Sequence, residues 1–167
     1  MAVYTPATAT VAGAMRGVMP FVAAHEDDPD TLVPVVRDGM WLGIVTGLIG
    51  AAAVCAVPII GVASGVPETT LSALGPFPFL LAASVLVAAI GNSATSTLVG
   101  LGRSRLVMRA GMTGTAAAVV LSLTLVNGIG PFGGLGLPGA GAALLVSGLL
   151  SATVAHWALR RSTVLVG

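Results

Sequence analysis

Charged side chains are what this chain has least of: 8% of its 167 residues, against 56% apolar ones, with a mean hydropathy of +1.02. A water-soluble domain carries roughly a quarter charged residues, so too little polar surface is available here for a water-soluble fold. The formal net charge is only +1, and the few charges sit in clusters, so no nucleic-acid partner is expected. A single cysteine, Cys55, lies inside an apolar run; it excludes an intrachain disulfide and reads as a small packing residue. Residues 1–6 hold no basic side chain, which argues against a cleaved signal peptide in the run that follows. No Ser, His and Asp arrangement, phosphate loop or zinc spacing occurs, so neither an enzyme nor a bound cofactor is expected. Gly100 and Gly102 form a fragment of a dinucleotide pattern, but they stand between two apolar runs and not after a soluble strand.

What the chain does have is long apolar runs, and these predict an all-α integral membrane helical bundle. Five spans are expected, over residues 7–24, 39–60, 77–99, 107–126 and 139–159, each about as long as a ~30 Å hydrocarbon slab demands of a helix. The first contains Arg16, about two and a half turns above the following polar loop, where a charge must face protein or water. In that loop Asp28 precedes Pro29, a good helix start, since the carboxylate accepts orphan backbone N–H groups and proline suits the first helical position. His25, Glu26 and Asp27 are adjacent in sequence, which suits a solvated helix cap better than a metal site. Residues 32–38 read as a short surface helix interrupted at Pro34, ahead of a span that opens at Trp41. Gly43, Gly47 and Gly50 fall near one face of that span and permit close approach of a neighbour. Residues 61–76 read as a connection.

The third span carries a stripe of small or polar residues four apart, Ser84, Ala88, Asn92 and Ser96. Such a stripe either walls a hydrated pathway or packs against another helix with its hydroxyls bonded back to their own backbone. His156 beside Trp157 reads as an interfacial anchor.

If the spans alternate, Arg37, Arg103, Arg105, Arg109, Arg160 and Arg161 fall on one side, and residues 1–6, 61–76 and 127–137 carry no basic residue. Six on one side by chance has odds of about one in thirty, so the positive-inside rule puts that side in the cytoplasm of a cell-membrane protein. The amino terminus is then outside and the carboxyl terminus inside. An odd number of spans suggests a further helix before residue 7, or a larger assembly.

Three stretches resemble the multidrug and toxic compound extrusion (MATE) transporters. Asp28-Pro29 followed by Arg37 and Gly39 looks like the loop between their second and third helices. Gly100-Leu101-Gly102-Arg103-Ser104-Arg105 resembles the loop after their fourth. Gly128-Ile129-Gly130-Pro131-Phe132, then Leu135-Gly136 and Gly139-Ala140-Gly141-Ala142-Ala143, is similar to the connection between their fifth and sixth, and is the most specific of the three. The resemblance implies helices two to six of one six-helix lobe, with a first helix and a second lobe as missing partners. It implies export of small cationic or amphipathic compounds across the lipid bilayer, with protons or sodium as coupling ion. Arg16, Asn92, Ser96, Thr115 and Ser122 are the substrate-cavity candidates; Thr115, Ala118 and Ser122 stand where family members often carry amide or acidic groups. No Asp or Glu occurs within the last four spans or the first, so a non-transporting membrane subunit or truncated remnant is the alternative. A lipid-linked saccharide flippase of the wider superfamily is a third reading; it should line its cavity with several basic residues, and Arg16 alone is available.

Overall fold

A computed structural model describes residues 4–25, 28–129 and 132–161 of the chain. The described residues are almost entirely helical: α1 (Tyr4–Arg16), α2 (Met19–Ala24), α3 (Pro29–Cys55), α4 (Val57–Ala63), α5 (Glu68–Ala73), α6 (Phe77–Gly100), α7 (Ser104–Asn127) and α8 (Gly136–Arg160). Taken with their continuations, five of these units are long and apolar enough to cross a membrane, spanning Tyr4–Ala24, Asp30–Ala63, Phe77–Gly100, Ser104–Asn127 and Gly136–Arg160. Large apolar side chains stand bare on the outside, among them Trp41 (61% exposed), Ile49, Ile59, Phe79 and Leu123. So much contiguous apolar surface is incompatible with water and suits hydrocarbon. The protein is therefore an all-α membrane bundle.

Two expected elements come out differently, for reasons visible in the backbone. Residues 7–24 do not form one helix, because the chain turns at Gly17 and Val18, whose N–H groups bond three residues back to Ala14 and Met15. Pro20 lies just beyond and has no N–H to continue the ladder through Arg16. The expected surface helix at 32–38 is not separate; it is the first part of α3, which runs through Pro34 unbroken. Leu32 and Val36, 0% and 6% exposed, pack into the bundle, and that burial holds the helix together where proline removes one bond. The start is as the sequence indicates: Asp28 caps α3 by accepting from the N–H of Asp30 at 3.2 Å, with Pro29 at the first helical position. Residues 61–76, read as a connection, contain α5 and the end of α4, which closes with Gly65 at φ +74°.

Packing follows a simple order: α8 lies between α6 and α7, and α3 covers the other side of α6 together with α1. Glycines allow it. Gly43, Gly47 and Gly50 face α6, where a Cβ would meet the carbonyl of Ala89 at 3.3 Å, the Cβ of Ala89 at 2.6 Å and the side chain of Val85 at 2.9 Å respectively. This is the close approach that their spacing indicated. On the opposite side Gly91 meets Ala152, and Gly114 of α7 meets Ser151 of α8.

Two apolar clusters define the ends of the bundle. One contains Val22, Leu32, Val36, Leu98, Leu101, Ala110 and Leu159, so it gathers the starts of α3 and α7 with the ends of α2, α6 and α8. Arg37, Arg103, Arg105, Arg109, Arg160 and Arg161 all lie on these segments, which places Arg103 and Arg160 at the same end. The other cluster joins Val11, Val54, Phe77, Leu81 and Val85, with Tyr4 and Cys55 packed against it. At that end α7 and α8 are linked by a minimal antiparallel ladder, Gly128–Ile129 against Phe132–Gly133, the sole strand pairing among the described residues.

Candidate functional site

Small side chains create a mainly apolar concavity between spans, with hydroxyl groups set in its wall. Where α7 and α6 flank α8, glycine, alanine and serine are too small to fill the seam, and a groove of about 340 Å³ remains. It is lined by Ser84 and Ala88 of α6, Gly111, Gly114, Thr115 and Ala118 of α7, Leu144, Ser147, Gly148 and Ser151 of α8, and by Tyr4 at the start of α1. Apart from Tyr4, which is the first residue of α1, these residues stand roughly 10–24 Å along their helices from either end, in the middle part of a ~30 Å slab. No charged residue lines it.

Its hydroxyls are oriented by the helices that carry them. Ser84 and Ser147 donate to carbonyls three residues back, Leu81 at 2.8 Å and Leu144 at 3.1 Å. Ser151 donates across the helix pair to the carbonyl of Ala110 at 3.1 Å, and so ties α8 to α7 beside Gly114. With each proton committed to a backbone carbonyl, the serine oxygens are left as acceptors. Thr115 is exposed, and its hydroxyl has no hydrogen-bond partner among the described residues. Uncharged acceptors at mid-depth suit donors such as water, ammonium groups or amide N–H groups, and no positive charge is present to hold an anion.

The sequence candidates are only partly brought together. Thr115 lines the groove, as do the first two members of the α6 stripe, Ser84 and Ala88. Asn92, half-buried one turn further along, and Ser122, half-buried on α7, are not among its lining residues. Ser96 is 5% exposed and belongs to the packed interior nearer the arginine end of the bundle. Arg16 is the exposed last residue of α1, away from the groove. Neither a family model, a curated protein nor a solved structure matches this chain. The groove therefore has to be interpreted from its own chemistry.

Outside the groove, no cluster of metal-binding side chains occurs among the described residues. Of the acidic loop, Glu26 and Asp27 lie outside them, and the His25 ring nitrogen Nδ1 sits 2.8 Å from the carbonyl of Phe21. His156 pairs Nδ1 with the carbonyl of Ala152 at 3.0 Å, a local helix contact beside Trp157. Trp157 is 57% exposed, with the Arg161 guanidinium 3.8 Å from its ring centroid. That pair has the amphipathic character of a side-chain anchor at a membrane interface.

Sequence reasoning missed Ser147, Ser151, Gly111 and Gly114. A signal was present: the two serines are four apart on α8, and Gly111, Gly114, Thr115 and Ala118 recur at three- and four-residue spacing on α7. What could not be read was that these two faces meet.

Proposed function

We propose that this chain is one helical lobe of a MATE-like secondary transporter, moving small amphipathic or cationic compounds across the cell membrane in exchange for protons or sodium ions. The observation that carries this reading is the groove at mid-depth, lined by uncharged hydroxyl and small residues. Carriers place their sites near the bilayer midplane between repeats, and an open-sided groove in a single lobe would be completed by a second lobe, which a second copy of this chain would supply in a membrane reconstituted with it alone. The three loop resemblances point the same way. The absence of basic residues from the groove counts against the saccharide flippase. The absence of a carboxylate there favours, as second reading, a membrane subunit that does not transport by itself.

The measurement is movement of a fluorescent lipophilic cation into or out of proteoliposomes holding the purified chain, driven by an imposed proton or sodium gradient. Gradient-driven flux above that of empty liposomes is expected, and Thr115→Leu or Ser147→Leu should lower it about tenfold, equivalent to roughly 1.4 kcal/mol of lost solute contact. Flux equal to empty liposomes would leave the non-transporting subunit as the better reading.

In the orientation we propose, the arginine end is cytoplasmic. With Cys55→Ala as background, Ser64→Cys should react with a membrane-impermeant thiol reagent in intact cells, and Ser104→Cys only after permeabilisation. The reverse pattern would invert the topology.

A further inference from the structure

The outer face of α7 is organised differently from the groove, and its chemistry is that of a lipid site. At the arginine end, a cavity of about 380 Å³ is lined by Gly102, Arg103, Ser104, Arg105, Leu106 and Arg109. Gly102, at φ +66°, reverses the chain after α6, and the N–H of Arg103 bonds to the carbonyl of Leu98 at 2.8 Å, so the first arginine is fixed at the rim. Arg105 and Arg109 are exposed and one helical turn apart. Among the described residues no carboxylate pairs with any of the three; the ion pair present, Arg37 with Asp38 at 3.8 Å, is elsewhere.

Below the two exposed arginines the same face turns wholly apolar. Positions 105, 109, 112, 116, 119 and 123 recur at alternating four- and three-residue steps, which keeps them on one side of a helix, and every one is exposed. Met112, Val119 and Leu123 are 64%, 55% and 60% exposed. From Arg109 to Leu123 this ridge extends ~21 Å, enough to accompany an acyl chain through a ~15 Å half-bilayer.

We propose that this face binds one anionic phospholipid from the leaflet at the arginine end, its phosphate held by Arg105 and Arg109 and an acyl chain lying along Met112, Val119 and Leu123. Unpaired guanidinium groups at headgroup level hold the phosphate by charge-assisted hydrogen bonds, and their positive charge favours a lipid whose phosphate has no cation of its own, as phosphatidylcholine has. The apolar ridge selects a lipid over a free anion. This assignment is independent of transport.

The test uses the full chain purified in mild detergent and native mass spectrometry with equal amounts of phosphatidylglycerol and phosphatidylcholine added. Preferential retention of phosphatidylglycerol is expected. Each exposed arginine should account for roughly fivefold in that preference, so Arg105→Gln with Arg109→Gln should lower it ~30-fold. The charge-preserving pair Arg105→Lys with Arg109→Lys should retain most of it, which separates lost recognition from lost folding. Val119→Asn should weaken lipid retention with the arginines intact. Equal retention of the two lipids, or an unchanged preference in the double glutamine variant, would overturn the proposal. So would displacement of the lipid by millimolar inorganic phosphate, which would assign the cavity to a free anion. A dimer that dissociates in the glutamine variant would assign the face to a second copy of the chain and overturn it equally.

Discussion

Gly47→Leu should force α3 away from α6 and lower the thermal midpoint of the detergent-solubilised protein by several degrees. Even the first atom of a side chain at this position would lie 2.6 Å from the Cβ of Ala89 and 3.2 Å from Cδ1 of Leu86. Ala89 is fully buried and has no rotamer through which to retreat, so the helices themselves must shift. Overpacking of this kind costs about 1–3 kcal/mol. Intrinsic helix preference opposes it, favouring leucine over glycine by ~1 kcal/mol, and the 2.6 Å clash outweighs that gain. Gly13 supplies the control: it is exposed within α1 with nothing near its missing side chain, and Gly13→Ala should be neutral or slightly stabilising. Cys55 is a built-in reporter, since it is a free thiol packed against the apolar cluster that includes Ala89. Its reaction rate with a thiol reagent during heating should rise at lower temperature in Gly47→Leu than in the parent. A variant as stable as the parent would mean that α3 and α6 do not cross at this glycine.

The second large effect is expected at the turn joining α7 to α8. A side chain on Gly139 would begin 2.5 Å from the carbonyl oxygen of Leu125, and one on Gly134 would collide with the carbonyl of Val126. These obstacles are backbone atoms at the end of α7, where the N–H of Leu135 already bonds to Leu125 at 2.8 Å. They cannot rotate aside. Gly139→Val should therefore exceed the loss in Gly47→Leu and expose the α7–α8 turn to protease. Gly136 tests a different constraint, because it has open space around it but adopts φ +58°. Gly136→Ala should lose ~1–2 kcal/mol from backbone strain alone, and Gly136→Asn less, since asparagine tolerates that conformation. The order of thermal midpoints should be parent, Gly136→Asn, Gly136→Ala, Gly139→Val. Gly139→Val ranking above Gly136→Ala would show that steric closure of the turn is not what holds the hairpin.

Several features of this bundle were open to direct reading because they depend on neighbours in sequence. The start of α3 is one: Asp28 and Pro29 supply the cap and the first helical residue whatever the rest of the chain does. The α3 glycines are another, since their spacing alone places them on one face. Pro34 illustrates the opposite case. Its local chemistry favours a break, and the helix continues because Leu32 and Val36 find a buried surface to which distant residues such as Leu98, Leu101 and Leu159 contribute. Arg16 is similar in kind: the span drawn through it divides at Gly17 and Val18, which puts Arg16 at an exposed helix end inside the span and not within a continuous helix.

The candidate site was less legible. Thr115 and the Ser84 half of the α6 stripe line the groove, whereas Ser96, on the same stripe, is buried in packing. Four-residue spacing marks a helix face but does not say what covers each part of it. Coverage changes along α6 because Ser96 lies toward the packed arginine end, where α2 and the start of α3 close over the bundle.

From the linear order of residues alone came the choice of solvent, the number of long apolar helices and the gathering of arginines at one end, because run length and charge placement are properties of single segments acting against a ~30 Å slab. Only the folded chain decided which small residues face an open groove, that Ser151 bonds across to Ala110, and that Pro34 is carried inside a continuous helix. Those outcomes depend on contacts between segments far apart in sequence, and no local preference encodes which neighbour a helix face will meet.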